Sequence, residues 1–224
     1  MKTLLQTGRA FLRSTFRPKY HGQFQPYTHT MPDRYPWLFQ FARDQLGPSP
    51  RLLSFGCSSG DEVLALRKYM PRAAIKGTDI NPANIRQCRL RARAIGGLTF
   101  SVQAGTEAEA DGSFDAIFCL SVLVHGDLIG VGEPAPRSEP LMYFADFERT
   151  VVDFSRCLKS GGLLILHTTN FRFCDTSAFP AFDVVLRAQP DQMAVDPQYD
   201  RHNRLIDALR YSAVGFRKKH RELG

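Results

Sequence analysis

Short apolar runs alternate with helical patterns through the middle of this chain of 224 residues. The run Arg51–Phe55 precedes a turn with a glycine at each end and a helix over 61–70, and the run Ala74–Asp79 precedes a second helix that Asn81 caps. Further strands are predicted over 98–102, 114–120 and 163–168, and a longer helix over 145–158. Because strands that alternate with helices pair in parallel, the pattern predicts an α/β fold with a doubly wound, parallel sheet.

The flanks of this alternating region predict how the chain is divided. An arm of basic and aromatic residues over 1–37 precedes a domain over 38–224, which opens with a helix that stops at Gly47-Pro48. The pattern loses its regularity over 170–206, so we expect that segment to face a substrate. Within and after it we predict a short helix over 182–186, a last edge strand over 211–217 and an antiparallel partner for that strand over 193–196.

Charge is concentrated at the two ends of the chain. The net charge is +7, yet residues 1–32 contribute +5 and residues 201–224 another +5, so the body between them is slightly acidic. A fold that binds nucleic acid usually carries its positive charge on the folded surface, and we therefore expect no nucleic-acid partner. Five widely spaced cysteines without a C-x-x-C pair indicate a reducing compartment, taken as the cytoplasm, and no metal site.

The first 19 residues have the pattern of an amphipathic helix. Leu5, Leu12 and Phe16 share one face, and basic residues lie on its flank. Two interpretations stay open: a helix that packs on the domain, or a segment for weak membrane-surface contact or organelle targeting. The longest apolar run, over 116–124, is too short to span a bilayer.

The turn after the first strand and the acid after the second predict a ligand site. Gly56 and Gly60 allow the backbone to approach a ligand closely, and the free N–H groups at the following helix start favour an anionic group. Asp79 lies 19 residues beyond Gly60, where a carboxylate accepts hydrogen bonds from the hydroxyls of a ribose. Ser58 stands where dinucleotide enzymes have the middle glycine of G-x-G-x-x-G, so a pyrophosphate ligand is disfavoured.

Four segments stand out in this order along the chain: Leu53-Ser-Phe-Gly-Cys-Ser-Ser-Gly-Asp-Glu62, Gly77-Thr-Asp-Ile-Asn-Pro82, Gly112-Ser-Phe-Asp-Ala-Ile-Phe-Cys119 and Leu158-Lys-Ser-Gly-Gly-Leu-Leu-Ile165. Together they resemble the ordered motifs of class I S-adenosylmethionine-dependent methyltransferases. The resemblance covers residues 38 to 169 and implies a Rossmann-like, seven-stranded, mostly parallel sheet with an antiparallel last strand. It also implies S-adenosylmethionine as the cofactor, held by Gly56, Cys57, Ser58, Gly60, Asp79, Asn81, Leu120 and Ser121.

Within that resemblance each group of residues has an implied role. The turn residues would contact the methionyl part of the cofactor, and Asp79 would contact its ribose. Leu120 and Ser121 would lie at the end of the fourth strand, on the edge that faces the cofactor. Two positions depart from the family pattern. Ser54 replaces an acid before the turn, and Gln103 or Thr106 stands where an aspartate often reads the adenine amine.

Two histidines are candidates for a catalytic base. His125 follows the fourth strand and His167 ends the fifth, and an imidazole titrates near neutral pH. For each, a purely structural, hydrogen-bonded role is the alternative. Further candidates are an aromatic lid of Tyr27, His29, Tyr35 and Trp37, which an N-terminal core cluster would explain equally, and Asp127, Asn170 and Asp175 as weaker substrate-orienting groups.

The segment after the fourth strand narrows the range of possible methyl acceptors. Cys119-Leu-Ser-Val-Leu-Val-His125 lacks the Asn/Asp-Pro-Pro-aromatic signature of enzymes that methylate base amines, so the leading hypothesis is methyl transfer to an oxygen or nitrogen of a small molecule. The turn is also similar to that of chemotaxis-receptor glutamate methyltransferases, which makes a protein carboxylate the alternative acceptor. A catalytically silent cofactor-binding or membrane-surface module is the hypothesis from another class, and a nicotinamide oxidoreductase is the third.

Overall fold

The computed structural model describes residues 23–28, 30–129, 133–206 and 211–220, and within these ranges the chain forms one seven-stranded sheet. The strands are β1 Arg51–Phe55, β2 Ala74–Asp79, β3 Leu98–Val102, β4 Phe114–Leu120, β5 Leu158–His167, β6 Phe182–Arg187 and β7 Ala213–Lys218. Their order is β3-β2-β1-β4-β5-β7-β6. Strands β1 to β5 pair in parallel, whereas β7 runs antiparallel to both β5 and β6. The predicted Rossmann-like sheet with an antiparallel last strand is thus confirmed.

Helices pack on both faces of the sheet. Successive residues of a strand point to opposite faces and so belong to two separate hydrophobic cores. The helices are α1 Pro36–Gln45, α2 Asp61–Tyr69, α3 Pro82–Arg91 and α4 Phe144–Cys157. Leu53 and Ile117 contribute to a core with α4, while their neighbours Leu52 and Ala116 contribute to a core with α1, α2 and α3. This two-sided burial explains why the strands are almost uniformly apolar.

The start of α3 has the local chemistry that the sequence predicts. The side-chain oxygen of Asn81 accepts a hydrogen bond from the Ala83 N–H at 2.9 Å, and Pro82 occupies the first helical position. The residue that ends β2 and the residue that caps α3 are therefore only two positions apart. Asp79 and Asn81 are brought to the same edge of the sheet by this arrangement.

Two expectations for the C-terminal part are wrong. The segment 182–186 is not a helix but belongs to β6, and β6 rather than 193–196 is the antiparallel partner of β7. The physical reason is that Val184 and Val185 are β-branched and lie next to an open strand edge, which outweighs a short helical pattern. Strand β5 also begins earlier than predicted, at Leu158, directly after α4.

The predicted amphipathic helix over residues 1–19 lies outside the described residues. Across the described ranges, no helix is long and apolar enough to cross a membrane.

Candidate functional site

A cavity opens at the carboxyl ends of β1, β2 and β4, with a volume of about 1000 Å³ including its mouth. Its walls include seven of the eight residues proposed to hold the cofactor: Gly56, Cys57, Ser58, Asp79, Asn81, Leu120 and Ser121. The eighth, Gly60, lies behind the wall as the N-cap of α2. Parallel α/β sheets bind ligands at this edge.

The turn between β1 and α2 requires glycine at both ends. Gly56 has a φ of +72°, and a Cβ placed there would lie 2.4 Å from Cγ2 of Val122. Gly60 has a φ of +92°, and its N–H donates to the Cys57 carbonyl at 2.9 Å. Beneath the turn, the Sγ of Cys57 lies 4.0 Å from the Sγ of Cys88 in the core. The turn is therefore closed by its own hydrogen bond and is backed by packed side chains.

The Asp79 carboxylate organises the floor of the cavity. Its Oδ2 accepts a hydrogen bond from the Ser58 N–H at 2.8 Å, and its Oδ1 accepts from the Asn81 N–H at 2.8 Å and from the Asn84 side-chain amide at 3.1 Å. A carboxylate has about four lone-pair directions, so Oδ2 retains one for a further donor. The residue is 8% exposed and lines the cavity, which fits a ribose hydroxyl as that donor.

Glu62 is a site residue that the sequence analysis did not single out. It comes from the first turn of α2, lines the cavity, and accepts a hydrogen bond from the Ser54 hydroxyl at 2.6 Å. Desolvation raises the pKa of Glu62 to about 7, although the hydrogen bond from Ser54 opposes the shift. Ser54 on β1 replaces the acid that the family pattern has at this position, and the carboxylate of Glu62 on α2 lies beside it instead.

Of the two positions considered for adenine recognition, only Gln103 lies at the cavity. Its side chain accepts from the Ser101 hydroxyl at 2.9 Å and donates to Glu109 at 3.0 Å. The hydroxyl of Thr106 instead donates to Asp153 on α4 at 2.5 Å. Polar recognition at this end of the cavity would therefore use Gln103 or backbone groups of the 103–104 segment.

The N-terminal arm supplies the opposite wall of the cavity. Tyr27 and Tyr35 both line it, and the Tyr35 hydroxyl lies 2.7 Å from the Ser121 hydroxyl at the end of β4. The Tyr27 hydroxyl donates a hydrogen bond to the Asp127 carboxylate, so this carboxylate is bonded to the arm. Trp37 lies behind this wall, with its ring 5.8 Å from that of His167. His29, the fourth member of the suggested lid, lies outside the described residues.

His125 lies next to the cavity but not among the residues that line it. Its backbone N–H donates to the side-chain oxygen of Asn170 at 2.7 Å, and its Nδ1 accepts from the Asp127 N–H at 3.3 Å. Asn170, which was a candidate for orienting the substrate, is fully buried and also donates to the Pro197 carbonyl at 2.9 Å. It therefore fixes the loop after β4 to the 197 segment.

His167 is buried between the arm and the segment after β6. Its Nε2 lies 2.9 Å from the Gln192 carbonyl, which can only accept, so Nε2 carries the proton and Nδ1 accepts from the Thr168 hydroxyl at 2.8 Å. Burial lowers the pKa of His167, and its ring packs 4.7 Å from the ring of Tyr35. Asp175, also a candidate for orienting the substrate, instead forms a two-point ion pair with Arg172.

These features define the class of protein. A sheet of this order, with a glycine turn after β1 and an acid at the end of β2, is the architecture of class I S-adenosylmethionine-dependent methyltransferases. A family model described as a methyltransferase domain matches residues 48–208, more than two thirds of the chain. The chain belongs to this methyltransferase family, and S-adenosylmethionine is the cofactor that the family membership and the cavity together assign to it.

Several solved structures are similar to this chain. They are a Pyrococcus horikoshii OT3 protein (20% identity, 60% of this chain, 54% of that chain, TM-score 0.47), a geranyl diphosphate C-methyltransferase from Streptomyces coelicolor A3(2) (18%, 59%, 45%, 0.43) and a coclaurine N-methyltransferase (13%, 59%, 34%, 0.44). The chain spans about half or less of their length. A comparison with curated protein sequences gave no match.

Proposed function

We propose that the protein transfers the methyl group of S-adenosylmethionine to an oxygen or nitrogen of a small-molecule acceptor. The observation that carries this proposal is the convergence of the glycine turn, Asp79 and Ser121 on one cavity at the carboxyl edge of the sheet. When bound, the cofactor supplies an electrophilic methyl group, which the acceptor's lone pair attacks in line while the sulfur keeps the electrons of the broken bond.

Two acids give the cavity the charge that this cofactor requires. Asp79 would accept a ribose hydroxyl on the remaining lone pair of Oδ2, because the backbone donors already fix the orientation of its carboxylate. Glu62 would face the methionyl ammonium from behind the glycine turn. A nearby positive charge favours the ionised carboxylate, so we expect the bound cofactor to lower the pKa of Glu62 again.

The acceptor would enter between residues 30–37 of the arm and the segment over 170–206, which meet where Tyr35 packs on His167. In this arrangement the hydrogen bond between the Tyr35 and Ser121 hydroxyls fixes the wall of the cavity that the acceptor would contact. Alignment of the acceptor is then the main contribution of the chain to the rate. His125 and His167 are the candidate bases where a proton must be removed, and each would first have to release the hydrogen bond that its Nδ1 accepts, from the Asp127 N–H and from the Thr168 hydroxyl respectively.

Calorimetric titration with S-adenosylhomocysteine tests the cofactor site. We expect the wild-type chain to bind it, and Asp79→Asn to weaken binding by about tenfold or more, because a charged acceptor becomes neutral. Asp44→Asn, an exposed change of the same chemistry at the end of α1, is the matched control and should leave the affinity unaltered. Absence of binding by the wild-type chain would refute the proposal.

Incubation with radiolabelled S-adenosylmethionine and a metabolite extract tests the acceptor. Label in a small molecule, identified by mass spectrometry, is the expected result. Label found only in protein would instead favour the protein carboxylate as acceptor.

A further inference from the structure

One face of α3 contacts the groups that form the cofactor site. Asn84, Cys88 and Arg91 are spaced by four and then three residues, which places their side chains in one row along a helix. The row meets Asp79 at its first member and the start of α2 at its last. These three side chains are not among the residues that line the cavity, and the sequence did not single them out as cofactor residues.

Arg91 holds the far side of the glycine turn. Its Nη1 donates to the Ser59 carbonyl at 2.7 Å, and its Nη2 donates to Oδ1 of Asp61, the first residue of α2, at 2.6 Å. The hydrogen bond from Arg91 is the main influence that lowers the pKa of Asp61, so this bond joins two charged groups. One guanidinium therefore ties the turn to the helix that follows it.

Ser58 is the part of the turn that most requires support from outside. Its φ is +48°, in the left-handed region where a residue other than glycine is strained. Its carbonyl accepts from the Sγ of Cys88 at 3.1 Å, and its N–H donates to Oδ2 of Asp79 at 2.8 Å. Both backbone polar groups of this strained residue are thus held by residues outside the turn.

Asn84 orients the acid that we assign to the ribose. Its side-chain amide donates to Oδ1 of Asp79 at 3.1 Å, alongside the Asn81 N–H at 2.8 Å. Two donors use the two lone pairs of Oδ1, so the free lone pair of the carboxylate is on Oδ2. Because the Asn84 donor is a side chain, a substitution removes it and keeps the backbone donors.

We propose that Asn84 and Arg91 are positioning residues of the cofactor site, each acting through the group that it holds. Asn84 sets the Asp79 carboxylate for the ribose, and Arg91 sets the glycine turn for the methionyl part. This inference rests on the proposed function and extends it to a helix face outside the cavity. Groups that are already held in place lose less freedom when a ligand binds, which is how residues without ligand contact raise affinity.

Calorimetry on the full chain tests this division with two ligands. S-adenosylhomocysteine has an amino-acid end, whereas 5′-methylthioadenosine has the same adenosine and thioether without it. Arg91→Leu should weaken S-adenosylhomocysteine binding about tenfold and 5′-methylthioadenosine binding less than about twofold, because only the first ligand uses the turn. Asn84→Ala should weaken both ligands by a similar factor of about five, because both carry the ribose.

Two further variants make the comparison secure. Arg89→Leu is the matched control, since Arg89 is exposed on the same helix and donates to the Phe100 carbonyl at 2.8 Å rather than to the turn, and it should leave both affinities unaltered. Arg91→Lys keeps the positive charge but lacks the planar fork of donors, so it should show the same selective loss to a smaller extent. It takes the place of Arg91→Leu if that variant does not fold.

The pattern across the two ligands separates positioning from a general effect on the fold. Equal losses for both ligands in Arg91→Leu, a loss confined to one ligand in Asn84→Ala, unaltered affinities in both variants, or a similar loss in Arg89→Leu would each overturn the inference. In these cases binding of S-adenosylhomocysteine by the wild-type chain leaves the proposed function in place. Absence of binding by the wild-type chain would refute the proposed function and this inference together.

Discussion

Replacement of Glu62 by Gln tests whether the desolvated carboxyl behind the glycine turn opposes folding. Desolvation raises its pKa from an ordinary value of 4.5 to about 7. Each tenfold change in proton affinity corresponds to about 1.4 kcal/mol, so full ionisation of Glu62 lowers the free energy of unfolding by about 3 kcal/mol. Gln keeps an oxygen that accepts from Ser54 and removes the charge.

The sign of the effect fixes its pH range. The folded protein binds the Glu62 proton more tightly than the unfolded chain does, so the penalty is absent below pH 4.5, grows up to about pH 7 and is complete above that. Urea titrations of both proteins between about pH 5 and about pH 8 should show Glu62→Gln gaining about 2 to 3 kcal/mol on the wild-type chain over that interval.

A matched control guards against a general effect of charge removal. Glu107 is exposed, and Glu107→Gln should change the free energy of unfolding by less than about 0.5 kcal/mol at either pH. A difference between wild type and Glu62→Gln that stays constant from about pH 5 to about pH 8 would refute the reasoning, because desolvation of the ionised form would then not be the cause.

Three further outcomes are expected. Gly56→Ala should lower the free energy of unfolding by about 2 to 4 kcal/mol, from the positive φ and the contact with Val122, and adding Val122→Ala should recover part of the loss in thermal unfolding. An NMR titration should show His167 with a pKa below 6.5, and a value above 6.5 would contradict its burial as the controlling influence. Arg156→Lys should lower the free energy of unfolding by about 2 kcal/mol in urea titrations, because a lysine ammonium cannot reproduce the guanidinium's hydrogen bonds to Thr106, Glu109 and Asp111. An unchanged free energy of unfolding would mean that these three hydrogen bonds do not stabilise the fold.

The first five strands could be predicted because each combines an apolar run with a punctuating residue. Strands β1 to β4 match their predicted bounds, and Asn81 with Pro82 marks the start of α3 by local chemistry alone. The strands after β5 are harder to predict, because they depend on contacts between residues that are distant in the sequence. Residues 182–187 form a strand through pairing with β7, and that pairing is invisible in a local pattern.

The candidate site divides in the same way. Gly56 and Asp79 were predicted because a turn and a strand end place them at the carboxyl edge regardless of how the helices pack. Glu62 was missed because its importance comes from Ser54, eight residues earlier, whose hydroxyl it meets only once α2 has packed beside β1.

The amide of Asn170 has a consequence for how this edge of the protein moves. Its side chain accepts from the His125 N–H and donates to the Pro197 carbonyl, while its own carbonyl accepts from the Tyr199 N–H. Neither loop can lift away without breaking a bond to this one buried residue. The amide hydrogens of His125 and Tyr199 should therefore exchange with solvent at matching rates, as reporters of a single cooperative opening.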